Sequence, residues 1–227
     1  MPRSGTPDDE ATPRYPAAMT QRRTQAERRA QSQARLIEAS IQLLATRGYA
    51  KTSLVEIGKK AGVSHALVIH HFGSKEACMY AVVEHIRERM SARVADGDPG
   101  ETALDRVLGL LNMLRNDDVH ARAMFVILIE SVTGTPGLRP AVVETNTIVR
   151  EAISRMITEA ADSSAAAQSI DVSSLAVLIE AILRGVAMQW IADPEHVDLD
   201  SITTTAQQMV RSVLGQPHST PGLTNSR

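Results

Sequence analysis

Between Thr52 and Lys75 the chain reads TSLVEIGKKAGVSHALVIHHFGSK, and this stretch constrains the fold more than any other. Thr52 or Ser53 supplies an N-cap, and Leu54, Ile57 and Ala61 then recur at helical spacing. Gly62 stops that helix, because glycine enters the left-handed conformation of a helix end at no steric cost. Val63 fills the inside of the turn. Ser64 caps a second helix of about eight residues through His71, about 12 Å long at 1.5 Å per residue. Gly73 and Ser74 end it and start the next, which opens on Lys75 and Glu76. Two short helices on a glycine turn are a helix-turn-helix, and a 12 Å rod is close to the width of a DNA major groove. A corner in an ordinary helical bundle has the same spacing, so the motif alone leaves both readings open.

Charge is unevenly distributed. Residues 19–75 carry ten Lys or Arg against three Glu, a net +7, whereas residues 76–227 carry twelve basic and twenty acidic residues, a net −8. A basic end beside a solvated acidic remainder suits a polyanionic partner, since phosphate attraction supplies most non-specific affinity for DNA.

The flanking residues carry a resemblance. RLIEASIQLLATRGYAKTSLVEIGKKAGVSHALVIHHFGSKEA is similar to the N-terminal domain of the TetR family of bacterial transcriptional regulators. The matching features are the amphipathic first helix, Gly48-Tyr49, Thr52-Ser53, Ile57, Ala61-Gly62-Val63-Ser64, His71-Phe72 and Ser74-Lys75-Glu76, and the likeness is strong over about residues 22–86. It implies an all-α fold: a three-helix DNA-binding domain followed by a larger helical domain for effector binding and dimerisation. It also implies a repressor that binds a palindromic operator as a homodimer in the cytoplasm and is released by a small-molecule effector. His65 and Ala66 then face base edges, Ser53, Ser64, His71 and Lys75 contact phosphates, and Thr52 joins this DNA-binding set. The basic arm, residues 19–32, adds Arg22, Arg23, Arg28 and Arg29 as phosphate or minor-groove contacts. The family usually has Tyr where this chain has Ile69, which leaves only an apolar contact to a thymine methyl there. His70 is the second hydrogen-bonding candidate for direct readout. Protonated imidazoles are favoured beside phosphate, so DNA affinity is expected to weaken as pH rises.

Residues 1–18, rich in Pro and lacking periodicity, are expected to be disordered, as is the polar tail 215–227. The first helix is expected over Gln33–Arg47 and a fourth over Ser74–Ala95, closing the DNA-binding domain at 33–78 and opening the larger one at 79–214. DGDPG breaks the fourth helix, and later helices are expected near Glu101–Arg115, Asp117–Val132, Leu138–Ala161, Val172–Ala192 and Asp200–Leu214, with a loop over residues 163–169. Broad apolar faces on the last two, carried by Leu175, Leu178, Ile182, Val186, Trp190, Met209 and Val213, read as a dimer interface by the resemblance or as buried core by periodicity. Met113, Met124, Phe125 and Leu128 lie where family members hold an inducer, although a Met stripe is more often plain core.

Other classes find little support. There is no G-x-S-x-G, phosphate-cradling glycine loop or His-Glu-x-x-His, so no catalytic residues are assigned. No metal or other cofactor is expected: His70 and His71 are about 100° apart on a helix, with no carboxylate or Cys at ligand spacing. A single cysteine, Cys78, rules out an intramolecular disulfide, and no uninterrupted apolar run reaches the roughly 18 residues of a membrane span. The N-terminus lacks the apolar core of a secretory signal. A helical adaptor or hydrolase that does not bind DNA is the alternative.

Overall fold

The computed structural model describes residues 24–96, 100–161 and 171–215, apart from the side chains of 117 and 118. Among these residues every regular element is helical: α1 Gln25–Arg47, α2 Leu54–Ala61, α3 His65–Phe72, α4 Lys75–Ala95, α5 Ala103–Gly109, α6 Leu114–Thr133, α7 Arg139–Ala161, α8 Val172–Ala192 and α9 Leu199–Val213. Short 3-10 turns, Leu110–Met113 and Pro136–Leu138, lead into α6 and α7. The expected disordered segment 1–18, all of the expected tail 215–227 except Gly215, and the loop over 163–169 lie outside the described residues.

Local signals fix most boundaries. Ser53, Ser64 and Ser74 each accept a hydrogen bond from the backbone amide three residues on, capping α2, α3 and α4. Gly62 has φ 70° and ψ 36°, the left-handed stop expected of it. Two boundaries differ from expectation by more than three residues. Helix α1 begins at Gln25 rather than near residue 33, because Thr24 and Glu27 form a reciprocal capping box that carries the helix through the basic arm. The helix expected over residues 101–115 stops at Gly109 and tightens into a 3-10 turn before α6 starts.

Helices α1, α2 and α3 brace one another, and α1 also packs on α4 and α6. One hydrophobic cluster holds Leu36, Ile41 and Leu44 of α1, Ile57 of α2, Val68 of α3 and Met79 and Val82 of α4. The same cluster continues into Ala123 and Ile127 of α6, Leu138 of the 3-10 turn before α7 and Val142 of α7. A division after residue 78 therefore cuts through a continuous core; the two parts are mechanically joined by apolar contact rather than by a linker. A second cluster joins α5, α7, α8 and α9, and a third lies between Leu111, Leu114, Ala187 and Leu199.

Helix α8 is, among the described residues, the one long and apolar enough by length and composition to cross a membrane. Two charges interrupt it. The Glu180 carboxylate is buried and accepts a hydrogen bond from Arg150 Nε of α7 at 2.5 Å, while Arg184 Nη2 lies 2.7 Å from its other oxygen. Arg184 in turn donates to Asn146 Oδ1. These bonds tie α8 to α7 within the domain.

Candidate nucleic-acid interface

The turn between α2 and α3 is tight because Gly58 allows it. A Cβ at this position would lie 3.1 Å from the Val63 carbonyl oxygen and 3.1 Å from Val68 Cγ2, which accounts for a glycine in a helix interior. From the opposite side the Arg35 guanidinium of α1 reaches across and donates to the Ala61 carbonyl at 2.5 Å, satisfying an orphan acceptor at the end of α2. The Arg35 contact is long-range, and no local spacing announces it.

Helix α3 buries Val68 completely and sets Val63, Leu67 and Phe72 half-buried against the body of the domain. Its other face presents Ser64, His65, Ala66, Ile69 and His70 to solvent, with Ile69 44% exposed. Ser53 and Ser64 accept their capping bonds through Oγ, which leaves each exposed hydroxyl able to donate to a phosphate oxygen. Arg28 and Arg29 are exposed on the first turns of α1. Arg22 and Arg23 lie outside the described residues.

Three members of the expected set are placed differently. Thr52 is fully buried, and its hydroxyl donates to the Gly48 carbonyl at 2.8 Å. It is a brace of the α1–α2 connection and cannot reach DNA. Lys75 is half-buried: Nζ donates to the Tyr49 carbonyl at 2.7 Å and sits 3.6 Å from the centre of the Tyr49 ring. Burial lowers its pKa, against the pull of Glu130 and Glu76. Its first role is to lock the start of α4 to the α1–α2 connection. His71 is half-buried beside Ser32 of α1, with Nε2 3.2 Å from Ser32 Oγ. Burial, then His70 and Arg29, pushes its pKa below the ordinary 6.5 and favours the neutral ring. Cys78 is buried, hydrogen-bonded to Ser40, and its thiol is pushed up to about 11 by burial. It is a small core residue with no nucleophilic character.

The residues expected around an effector pack within the subunit. Met124 and Leu128 pack on the cluster shared with α1 and α4, Phe125 packs on the third cluster, and Met113 is half-buried in the 3-10 turn before α6. A cleft of about 250 Å³ lies elsewhere, between α4 and α7. Of the expected dimer residues, Leu175 belongs to the core of the subunit, packed with Ile179 and Ile157, and is unavailable to a partner. Ile182, Val186 and Trp190 are half-buried against the subunit's own clusters. Leu178 (58% exposed), Met209 (57%) and Val213 stand out to solvent, and Val177 and Met188 join them.

A short, solvent-facing helix held on a glycine turn by two others, within a basic segment, defines a helix-turn-helix domain. Residues 36–82 match the family described as bacterial regulatory proteins, tetR family. The chain is 33% identical over 138 residues to the HTH-type transcriptional regulator CymR of Pseudomonas putida, an alignment covering 57% of this chain and 66% of CymR. It is 36% identical over 90 residues to the HTH-type transcriptional repressor Rv3405c of Mycobacterium tuberculosis, covering 38% of this chain and 48% of that one. The chain thus spans about half to two thirds of the length of these curated relatives. The fold is similar to that of Salmonella enterica GusR, with a TM-score of 0.68 at 22% identity over 82% of this chain and 96% of GusR. Residues 36–82 are thus a TetR-family helix-turn-helix domain.

Proposed function

We propose that this protein is a DNA-binding transcriptional regulator, acting in the cytoplasm as a homodimer on a palindromic operator and released from it by a small-molecule effector. The observation that carries the reading is α3. It is one groove width long, and it exposes His65, Ala66, Ile69 and His70 on a face flanked by the capping hydroxyls of Ser53 and Ser64. His65 and His70 supply hydrogen bonds to base edges, Ala66 and Ile69 meet thymine methyls, and Arg28 and Arg29 with Ser53 and Ser64 hold the phosphates. Exposed apolar side chains on α8 and α9, led by Leu178 and Met209, supply the pairing surface that sets two α3 helices one DNA turn apart.

The continuous core suggests how release works. A displacement of α6 or α7 acts directly on Met79 and Val82 of α4, and through them on Ile57 and Val68. The effector favours an arrangement in which the two α3 helices no longer match their half-sites, and reciprocally DNA lowers effector affinity. Repression rather than activation is the reading because such a device weakens binding when the effector arrives. The experiment is fluorescence anisotropy with the duplex flanking the protein's own gene, titrated with salt. A specific site with a steep negative salt slope supports the proposal; no duplex binding at low ionic strength removes it in favour of a helical adaptor.

A further inference from the structure

We infer that the cleft between α4 and α7 binds a small organic cation, and that this cation is the effector of the regulator proposed above; the second half rests on that proposal. The cleft, about 250 Å³, is just below the roughly 300–1,000 Å³ of drug-sized sites, so its occupant is small. Its walls are the small side chains of Ala81 and Ala141 and the ring of Tyr80, whose hydroxyl donates to the Gly137 carbonyl at 3.2 Å. Two carboxylates, Glu84 and Glu144, line it. Glu84 pairs with Arg87, but Glu144 has no hydrogen bond or ion pair among the described residues, and the Arg87 guanidinium lies in the field of Glu84, Glu88 and Glu144 together. The site therefore carries excess negative charge beside an aromatic ring, a setting that attracts an ammonium and repels an anion.

Thr145 points independently to an occupant. It lines the cleft and is only 7% exposed, yet its hydroxyl makes no hydrogen bond among the described residues. Thr133, Thr147, Thr158 and Thr205, also in helices, each donate to the carbonyl four residues back at 2.8–3.0 Å. The hydroxyl is open to the cleft, where a ligand N–H meets its oxygen. A bare divalent ion would need six or more oxygen ligands, which this partly apolar wall does not offer. The location suits control of DNA binding: Cys78 and Met79, just before Tyr80, and Val142, just after Ala141, all enter the core that supports α3.

The test is calorimetric titration of the full-length protein with 2-phenylethylammonium, 2-phenylethanol and 3-phenylpropionate, together with the Glu144→Gln and Thr145→Val variants. The ammonium is expected to bind about fivefold tighter than the alcohol, the propionate weakest, and Glu144→Gln to erase the difference between ammonium and alcohol. Equal binding of ammonium and alcohol, no binding of either, or a preference that survives Glu144→Gln overturns the inference, as does displacement of the ammonium by millimolar magnesium. Duplex affinity is measured in parallel. A charge preference with duplex binding weakened by ammonium supports both halves. Intact duplex binding without the charge preference sinks the cleft and leaves the regulator standing. The charge preference without any duplex binding upholds the cleft's chemistry and overturns its role as an effector site.

Discussion

Replacing Gly58 by alanine sets two effects against each other at the hinge of the helix-turn-helix. Alanine in a helix interior is favoured over glycine by about 0.5–1 kcal/mol. Against this, the new Cβ would stand 3.1 Å from both the Val63 carbonyl oxygen and Val68 Cγ2. Neither neighbour yields freely. The Val63 amide donates to the Gly58 carbonyl at 2.9 Å, and Val68 is fully buried in the core. Overpacking of this kind costs about 1–3 kcal/mol, so the net effect is about 1 kcal/mol of destabilisation. For a chain of this size that is a fall in Tm of about 2–4 °C, read by circular dichroism. Because the strain lies between α2 and α3, it tilts α3, and duplex affinity measured by anisotropy is expected to fall by more than the loss of stability explains. A Gly58→Ala variant with a higher Tm and unchanged affinity would refute the packing argument.

His65→Ala is expected to relax discrimination at one base position by about 1 kcal/mol, measured with single-substituted duplexes; equal weakening on every duplex would remove its assignment to base readout. Leu178→Glu with Met209→Glu should yield folded monomers by analytical ultracentrifugation, since both side chains are exposed in the subunit; a dimer that persists would place the interface elsewhere. Glu180→Gln leaves Arg150 and Arg184 facing a neutral amide, and with Arg150 partly solvated the loss is about 2 kcal/mol in denaturant unfolding. The His71 pKa is depressed in the folded protein, so the unfolded chain binds more protons below about pH 6.5. Stability is therefore expected to fall as pH drops from 6.5 towards the folded value, and His71→Asn to flatten that slope.

Much of the DNA-binding half was legible because its signals are local. Ser53, Gly62, Ser64 and Ser74 cap or stop helices through bonds within three residues, and α8 spans the residues its periodicity indicates. The capping box of Thr24 and Glu27 is equally local, but it sits in a basic segment without apolar period, so α1 starts earlier than the apolar pattern indicates. The site residues found with unexpected partners share another cause. Thr52, Lys75 and His71 are polar residues on or beside a short helix, where sequence alone does not separate solvent from neighbour. Their partners, Gly48, Tyr49 and Ser32, are supplied by tertiary packing, as is the Arg35 bond to Ala61. Leu175 and Leu178 are three residues apart on one apolar helix; only the position of α7 buries the first and leaves the second exposed.

The most direct measurement is a hydroxyl-radical footprint of the protein on the duplex flanking its own gene, with the stoichiometry read in parallel. The account predicts two subunits per site and two protected patches on one face of the duplex, about 34–36 Å apart. A single patch from a lone subunit, or uniform protection without a preferred site, would contradict it.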